Sequence, residues 1–456
     1  MINVELKELE NDIAEVVNLF TTVENINLVH KVTISDNKIV NTVTVNGNVY
    51  AYGNLISLPS DQIVRKRLIK RYAKLSVYKA LCKVYDKQMP WGALTGIRPT
   101  KLAYMELEES GAFEDFFIDT MKVSQEKTKL VSNIIEAQKN IYSKNLDNTD
   151  FFVFIPFCPS RCKYCSFITA DIIRNAQFVD AYIDALIKEI DGSKEFIKQL
   201  KSIYIGGGTP VSLDDKNLDK LLTAIDKINT GVEYTVEAGR PDRITPDNLK
   251  ILKDHGVTRI CVNPQTFNDK TLQLLGRNHK AIDIEEKYHL ARDLFDVNMD
   301  LIAGLPDESF QDFKYSLDKT ISLKPENITV HTLCVKKGSE LSTQVNRVKC
   351  DEISQMIEYS YKTLENFGYM PYYMYRQKYM AGNLENVGYS LKGKECVYNV
   401  NTMEEISNTV ACGANAISKR VFFDENRIER LASPKDIKTY LDKVDNILFN
   451  KNKFFN

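Results

Sequence analysis

The strongest constraint on the fold is an alternation of short β-rich runs with amphipathic stretches, which occurs six times between residues 151 and 335. This pattern is typical of parallel strands joined by crossover helices. The predicted strands are Phe151–Phe157, Ser202–Ile205, Glu233–Ala238, Thr258–Val262, Val297–Ala303 and Asn327–Leu333. Because six units are fewer than a complete barrel of this kind requires, the sequence predicts an α/β fold that contains a partial (β/α)6 barrel.

The crossover helices carry signals of their own. After the first strand, one stripe of apolar side chains recurs at helical spacing, at Val179, Tyr182, Ile183, Leu186, Ile187 and Ile190. Such a stripe predicts an amphipathic helix that packs on the sheet. Farther along, Pro246 follows Thr245 and Gly256 lies nine residues beyond Asp247. Proline at a helix start and glycine just past its end predict a helix between them.

Three cysteines follow the first predicted strand at short intervals. Cys158, Cys162 and Cys165 have the spacing Cys-x3-Cys-x2-Cys. A loop of this kind can hold three corners of a cubane 4Fe-4S cluster. No further cysteine occurs before Cys261, so we expect the fourth iron to take a ligand from outside the protein. The remaining cysteines lack ligand spacing and are interpreted as packing residues.

Glycines and polar side chains lie at or near the ends of the other predicted strands. The run Gly206–Pro210 follows the second strand, Glu237 lies in the third, and Gln265 follows the fourth. Asp300 lies in the fifth strand and His331 in the sixth. Because the loops at the carboxyl ends of barrel strands face one mouth, we expect these residues to converge near the cysteines.

The composition restricts the partners and the compartment. Hydrophobic residues make up 43% and charged residues 27% of the 456 residues, as in ordinary globular proteins. A net charge of -1 gives no electrostatic footprint for nucleic acid. No apolar run approaches the length of a membrane span, and the first residues lack the form of a signal peptide. With nine cysteines and no disulfide framework expected, a cytoplasmic protein without a membrane span is predicted.

Three segments of the chain resemble a known family. The cysteine loop, the run Gly206–Pro210 and the segment Asn298–Pro306 resemble radical S-adenosylmethionine (SAM) enzymes, and more narrowly the oxygen-independent coproporphyrinogen III oxidase group. The resemblance covers roughly residues 150 to 420. In such enzymes the amino and carboxylate groups of SAM chelate the open iron, and reductive cleavage gives a 5′-deoxyadenosyl radical. The resemblance therefore implies a 4Fe-4S cluster and SAM as cofactors, and an electron donor such as flavodoxin or ferredoxin together with an electron acceptor.

The resemblance also implies roles for particular residues. Cys158, Cys162 and Cys165 would ligate the cluster. The residues that would contact SAM are Tyr164, Phe167, Gly206, Gly207, Gly208, Thr209, Glu237, Gln265, Arg277, Asp300 and Gly304. No catalytic residue beyond these is assigned.

Considered without the resemblance, several of these residues have a second interpretation. A glycine run after a strand is also a frequent strand-to-helix turn. A buried Asp300 needs a partner, and a structural arginine would serve as well as a cofactor. Arg277 is equally consistent with a cation at a helix end. His331 is interpreted as a hydrogen-bonded strand histidine rather than a catalyst.

The segments on either side of the predicted barrel indicate that the chain has three parts. Residues 1–145 are predicted to form an accessory domain that is β-rich and then helical from about Gln62, residues 146–340 the barrel, and residues 341–456 an α+β region that covers the substrate. The segments Trp91–Thr100 and Lys394–Asn399 resemble the HemZ-type coproporphyrinogen dehydrogenases. Arg376 and Lys378 lie in a tyrosine-rich run that would suit a flat macrocycle with carboxylates, although an ordinary edge strand would look the same.

One position departs from the resemblance. The best-characterised coproporphyrinogen oxidases carry a fourth cysteine two positions after the third ligand, where this chain has Phe167. Heme-trafficking relatives also lack that cysteine. The function implied is the oxygen-independent oxidative decarboxylation of coproporphyrinogen III to protoporphyrinogen IX in heme biosynthesis. The alternatives are a heme-binding chaperone and a radical SAM enzyme that modifies heme without oxygen.

Overall fold

The structure, a computed structural model, describes residues 1–35, 38–56, 58–96, 98–167, 169–334, 350–376 and 384–456. The chain forms two compact units, Met1–Ser132 and Asn133–Asn456. The division into three parts at residues 145 and 340 stays a prediction.

The first unit contains a four-stranded sheet and helices. Its strands are β1 (Ile2–Val4), β2 (Leu28–Ser35), β3 (Lys38–Val45) and β4 (Asn48–Leu55), in that order across the sheet. Strand β1 is parallel to β2, and the other pairs are antiparallel. The helices are α1 (Glu10–Val17), α2 (Gln62–Tyr85) and α3 (Pro99–Ser110), followed by α4 (Gln125–Gln138), which continues into the second unit. Helix α1 precedes β2, and the long helix α2 begins at Gln62.

The second unit is built on one eleven-stranded sheet. The strands of this unit are β5 (Asn148–Ile155), β6 (Phe157–Cys158), β7 (Ala170–Asp171), β8 (Gln199–Gly207), β9 (Glu233–Val236), β10 (Arg259–Cys261), β11 (Asp296–Ala303), β12 (Asn327–Thr332), β13 (Met370–Tyr375), β14 (Asn386–Ser390), β15 (Asn408–Cys412), β16 (Ile417–Phe422) and β17 (Arg427–Ala432). The order across the large sheet is β13-β14-β12-β11-β10-β9-β8-β5-β15-β16-β17, and β6 pairs with β7 separately.

Nine helices connect or flank the described strands of this unit. They are α5 (Val179–Ser193), α6 (Asp215–Asp226), α7 (Pro246–Asp254), α8 (Asp269–Leu274), α9 (Ala281–Ala291), α10 (Phe310–Leu323), α11 (Cys350–Asn366), α12 (Val397–Glu404) and α13 (Ile437–Phe455). The predicted signals explain two of them. In α5 the apolar stripe is buried in the main core except for Ile187, which is partly buried against it. Helix α7 begins with a Thr245 cap and is followed by Gly256 at φ +74°.

Six adjacent strands, β5, β8, β9, β10, β11 and β12, run parallel. Each of the six predicted strands overlaps one of them, so the predicted α/β fold with a partial (β/α)6 barrel is confirmed. The structure adds two neighbouring strands that the alternation of β-rich and amphipathic segments did not predict. Strand β15 pairs parallel with β5, and β14 pairs antiparallel with β12.

The segment Lys394–Asn399 lies at the amino ends of the barrel strands. Arg259, the first residue of β10, donates from Nη1 to the Lys394 carbonyl at 3.0 Å. Glu233, the first residue of β9, accepts the backbone N–H groups of Val397 at 3.0 Å and Tyr398 at 3.2 Å. These contacts place the segment at the end of the barrel opposite the cysteine loop.

No helix in the described part of the chain combines the length and the apolar character that crossing a bilayer requires.

Candidate functional site

The cysteine loop begins at the carboxyl end of the first barrel strands. Cys158 ends β6, and its Sγ lies 3.7 Å from the Thr209 hydroxyl. The Cys165 amide donates to the Cys162 carbonyl at 2.9 Å, which folds the loop into a tight turn. Burial raises the pKa of the Cys158 and Cys165 thiols. None of the described cysteines forms a disulfide.

The glycine run lets two backbone segments approach closely. The Gly208 amide donates to the Ile155 carbonyl at 2.7 Å, and a Cβ at Gly208 would lie 2.4 Å from the Phe157 carbonyl oxygen. Gly207 has φ +103°, a left-handed conformation that favours glycine. The run is therefore a structural turn, and Gly207 and Gly208 also line the cavity beside the cysteines.

Arg277 connects the cysteine loop to two neighbouring loops. Its Nη1 donates to the Tyr164 hydroxyl at 2.9 Å, and its Nη2 donates to the carbonyls of Gly239 at 3.0 Å and Asn263 at 2.7 Å. The side chain is buried, and its Nε has no hydrogen-bond partner within the described residues. A buried guanidinium with these partners is not an exposed cation at a helix end.

A second buried arginine lies on the other side of the loop. Arg240 donates from Nε and Nη2 to the two carboxylate oxygens of Asp242, at 2.8 and 3.0 Å. Its Nη1 donates to the Ser160 hydroxyl at 3.2 Å and to Cys162 Sγ at 3.5 Å. One guanidinium therefore contacts both a carboxylate and a cysteine of the loop.

Glu237 is held by a tyrosine on the adjacent strand. The Tyr204 hydroxyl donates to Glu237 Oε1 at 2.6 Å. The Tyr204 ring stacks on Tyr398 of α12 with a centroid distance of 4.2 Å, and Phe152 adjoins the same stack. Burial raises the pKa of Glu237 to about 7, against the opposing effect of the Tyr204 hydrogen bond.

Asp300 is paired with a histidine rather than an arginine. Asn298 Nδ2 donates to Asp300 Oδ1 at 2.8 Å, and His331 Nε2 lies 3.7 Å from Oδ2. Burial disfavours the charged carboxylate, but the interaction with His331 together with the hydrogen bonds of Asn298 and Thr329 lowers the pKa of Asp300. The other ring nitrogen of His331 lies 3.3 Å from the Tyr375 hydroxyl.

Gln265 lies in an unusual backbone conformation in the loop that follows β10. It has φ +65°, its amide donates to the Asp300 carbonyl at 2.8 Å, and its carbonyl accepts the Ile302 amide at 3.0 Å. A positive φ is uncommon for residues other than glycine and often marks a functional site. This turn fixes Gln265 beside Asp300.

These residues line one cavity of about 650 Å³. The predicted residues that line it are Cys158, Cys162, Cys165, Tyr164, Phe167, Gly207, Gly208, Thr209, Glu237, Gln265, Arg277 and Asp300. Phe167 is 61% exposed, which places it at the rim.

Four predicted site residues lie elsewhere or outside the described residues. Gly206 is buried, and a Cβ there would lie 3.1 Å from the Glu237 carboxyl carbon. Gly304, at φ +83°, packs against Ile353. Neither glycine is part of the cavity lining. Arg376 is 2% exposed and also lies outside that lining, and burial lowers its pKa to about 10 against the opposing charge of Glu385. Lys378 lies outside the described residues.

Sequence reasoning missed some residues of the site. Tyr204 lies two residues before Gly206 in β8, so strand alternation directs both to the same face, and this was a usable signal. Arg240 follows the end of β9 in the same way that Gln265 follows β10. His331 lines the cavity beside Asp300, as its place in the sixth predicted strand led us to expect, although its interpretation as a hydrogen-bonded strand histidine gave it no part in the site.

The thiol donors fit a cubane cluster better than a single metal ion. In the described residues, no three His, Cys, Asp or Glu side chains are placed to hold one metal ion. A cubane requires that each thiolate bind a different iron. Three cysteines on one loop at the edge of a cavity meet that requirement and leave room for a ligand on the fourth iron.

Comparisons with known proteins agree with this chemistry. A model of the radical SAM superfamily matches residues 152–320. The chain is 36% identical over 441 residues to the oxygen-independent coproporphyrinogen-III oxidase-like protein HemZ of Bacillus subtilis, covering 90% of this chain and 87% of that protein. It is also 36% identical over 193 residues to the heme chaperone HemW of Bacillus subtilis, covering 41% of this chain and 50% of the chaperone.

The fold is also similar to that of a solved structure. The coproporphyrinogen III oxidase HemN of Escherichia coli, a radical SAM enzyme, matches with a TM-score of 0.52 at 21% identity, covering 68% of this chain and 72% of that chain. The chain therefore belongs to the radical SAM superfamily and, within it, to the family of oxygen-independent coproporphyrinogen-III oxidase-like proteins. Members of the superfamily use a 4Fe-4S cluster and SAM, so the predicted cofactors are confirmed at the level of the family.

Proposed function

We propose that the protein is a radical SAM oxidoreductase that converts coproporphyrinogen III to protoporphyrinogen IX without oxygen. The observation that carries this proposal is the convergence on one cavity of three thiols from a single loop with Glu237, Gln265, Arg277 and Asp300. The fold brings these side chains together from the ends of separate strands, as cofactor sites of barrel proteins require.

In this proposal Cys158, Cys162 and Cys165 ligate three irons of the cluster. Since the pKa of two of these thiols is raised by burial, binding of iron is coupled to the release of their protons. When bound, the cluster and SAM supply a 5′-deoxyadenosyl radical that removes a hydrogen atom from the substrate. The chain itself holds the thiolates, orients the reactants and keeps water away from them.

The polar side of the cavity is proposed to hold SAM. Gly207 and Gly208 would present backbone groups to its methionine end, and Asp300, oriented by Asn298 and His331, would accept hydrogen bonds from its polar groups. Glu237, Gln265 and Thr209 would contribute further polar contacts. Tyr164 and Phe167 would flank the adenine. Gly206 and Gly304 lie outside the cavity lining, and in this proposal they serve packing.

The aromatic side of the cavity is proposed to receive the porphyrinogen. Tyr372, Tyr373 and Tyr375 of β13 line it beside His331, and aromatic faces suit a flat macrocycle. Each propionate that becomes a vinyl group loses one hydrogen atom, carbon dioxide and one further electron, so an electron acceptor is required. Arg376 and Lys378 remain the candidates to bind propionates. The Arg376 side chain is buried, so it would have to rotate out of its position to reach a propionate.

The same proposal includes the partners and the compartment. Reduction of the cluster would come from a low-potential donor such as flavodoxin or ferredoxin. A 4Fe-4S cluster with an open iron is easily oxidised, and nine cysteines favour a reducing compartment, so we place the protein in the cytoplasm. Nucleic acid is not among the proposed partners, because the net charge is near zero.

A heme chaperone is the second candidate function. The similarity to HemW of Bacillus subtilis favours it, as does Phe167 at the position where the best-characterised oxidases carry cysteine. A radical SAM enzyme that modifies heme is the third. All three functions use the same cluster loop, so the substrate must be tested directly.

The experiment is an anaerobic incubation of reconstituted protein with reductant, SAM, an electron acceptor and either coproporphyrinogen III or heme. Mass spectrometry should detect monovinyl and divinyl products from coproporphyrinogen III, each lighter by one decarboxylation, and 5′-deoxyadenosine above the level without substrate. A Cys162→Ala variant controls for chemistry that does not need the cluster. Tight heme binding without SAM and no vinyl product would instead establish the chaperone, and a heme-derived product would establish the heme-modifying enzyme.

A further inference from the structure

The contacts of Arg240 with Cys162 and Asp242 form an arrangement that the proposed SAM and substrate contacts do not use. The guanidinium is almost fully buried, and it reaches Cys162 Sγ at 3.5 Å while both oxygens of Asp242 accept its other N–H groups at 2.8 and 3.0 Å. His279 Nδ1 lies 3.7 Å from Asp242 Oδ1, the oxygen that also accepts from Arg240 Nε. The cluster loop thus has a cation in direct contact with one proposed ligand sulfur.

This arginine is poorly placed to bind an anionic substrate. Asp242 already neutralises its charge through a bidentate contact, which is the strongest geometry for such a pair. Burial disfavours the charged carboxylate of Asp242, but the interactions with His279 and with Arg240 lower its pKa. The carboxylate therefore stays ionised and keeps the guanidinium in one orientation, with Nη1 toward Ser160 and Cys162.

We propose that Arg240 raises the reduction potential of the 4Fe-4S cluster by donating a hydrogen bond to Cys162 Sγ, and that Asp242 limits this rise by neutralising the guanidinium. The inference rests on the proposed function, because it requires a cluster on this loop. Arg240 is then a positioning residue that acts through Cys162, not a catalytic residue.

The physical reason is the charge of the reduced cluster. Adding an electron increases the negative charge on the cluster and its sulfur ligands. Hydrogen bonds to the sulfurs and nearby positive charge stabilise that form, and both are known determinants of the potential of iron-sulfur clusters. Asp242 has the opposite effect on the electrostatic potential at Cys162. The two residues should therefore shift the potential in opposite directions when each is neutralised.

The test is the midpoint potential of the reconstituted full-length protein without SAM, measured by redox titration with electron paramagnetic resonance. Arg240→Gln should lower the potential, and Asp242→Asn should raise it. A tenfold change in the ratio of reduced to oxidised cluster is expected for Arg240→Gln, which corresponds to about 59 mV for one electron. Arg240→Lys keeps the charge without the bidentate geometry and should fall between Arg240→Gln and the unchanged protein.

Arg243 provides the matched control, since it lies in the same turn and its side chain makes no hydrogen bond to the cysteine loop within the described residues. Arg243→Gln should leave the potential unchanged. If Arg240→Gln does not retain iron, the potential of Asp242→Asn alone tests the inference. The inference then requires that potential to be higher than the potential of the unchanged protein. Unchanged potentials, or shifts of the same sign, in variants with full iron content would overturn the inference. Absence of a cluster in the unchanged protein would instead contradict the proposed function.

Discussion

The two ends of the barrel both contain buried charge, but they differ in what the charge contacts. At the amino end, Arg259 contacts Glu233 at 3.3 Å, Asn327 at 2.5 Å and the Lys394 carbonyl at 3.0 Å. These contacts join the first residues of several strands to the segment before α12. At the carboxyl end, polar groups surround three thiols, and the cavity that they line extends as far as Arg259 and Asn327. Because the thiols lie at the carboxyl end and the contacts of Arg259 join strands, the proposed function places cofactor binding at the carboxyl end and gives Arg259 a role in stability.

The largest expected effect lies at the carboxyl end. Cys162→Ala should abolish the cluster, because two thiolates do not retain a cubane against solvent. Iron and sulfide analysis and the visible absorbance after anaerobic reconstitution measure this loss. Cys261→Ala is the matched control, since Cys261 lines the same cavity outside the loop, and it should keep full iron content. Equal iron content in the two variants would show that the cysteine loop does not hold the cluster.

The matching change at the amino end should affect stability instead. Arg259→Ala removes the buried cation that pairs with the partly buried Glu233, and breaking a buried pair costs about 3–5 kcal/mol. Chemical denaturation should show the lower free energy of unfolding, while iron per folded protein stays unchanged. Arg292→Ala removes an exposed arginine and should cost less than about 1 kcal/mol. Normal stability of Arg259→Ala would contradict the role given to the amino end.

Strand β11 carries one aspartate near each end of the barrel, so the two ends can be compared within one strand. Asp300 lies at the cavity, and Asp296 pairs with Lys394 at 2.6 Å. Asp300→Ala should weaken SAM binding about tenfold or more, because one lost hydrogen bond to a buried partner costs about 1–3 kcal/mol. Asp296→Ala should leave SAM affinity unchanged. Equilibrium binding to the reconstituted protein distinguishes them, and equal affinities would exclude Asp300 from the SAM site.

The smallest expected effect concerns one hydroxyl group. The Tyr204 hydrogen bond lowers the pKa of Glu237, which burial raises to about 7. Tyr204→Phe should therefore raise that pKa, so that more Glu237 is protonated at pH 7 than in the unchanged protein. If the ionised carboxylate binds SAM, affinity should fall severalfold at pH 7 and recover toward pH 8.5.

Tyr234→Phe serves as the control for this change. Its hydroxyl is buried without a hydrogen-bond partner among the described residues, so its removal should not alter the pH dependence of SAM binding. A Tyr204→Phe variant with the same affinity and pH profile as Tyr234→Phe would show that the hydroxyl does not act on Glu237.

The sequence predicted the parts of the molecule that depend on local patterns. Strand periodicity located all six barrel strands, and motif spacing located the three cysteines of the loop. The positions of residues at strand ends and the family resemblance pointed to part of the cavity lining. The sequence did not reveal β15 beside β5 or Lys394–Asn399 at the amino end, because those contacts join segments more than a hundred residues apart. The hydrogen bond from Arg240 to Cys162 was not predicted either, because these residues lie on different loops and the sequence does not show which loops meet.

Arg376 illustrates the limit of reading function from composition. A tyrosine-rich run with a cation suggested a surface that contacts the macrocycle, but composition does not specify which face of a strand a residue occupies. In the structure, tyrosines of β13 line the cavity whereas Arg376, directly after that strand, is buried outside its lining.

The central claim is that three cysteines hold a cluster whose fourth iron binds SAM. The most direct test is the electron paramagnetic resonance spectrum of the reduced, reconstituted protein with and without SAM. We expect one 4Fe-4S signal, and its g values should change when SAM is added because the ligand of one iron changes. A spectrum that is identical with and without saturating SAM, in protein with full cluster content, would contradict the account.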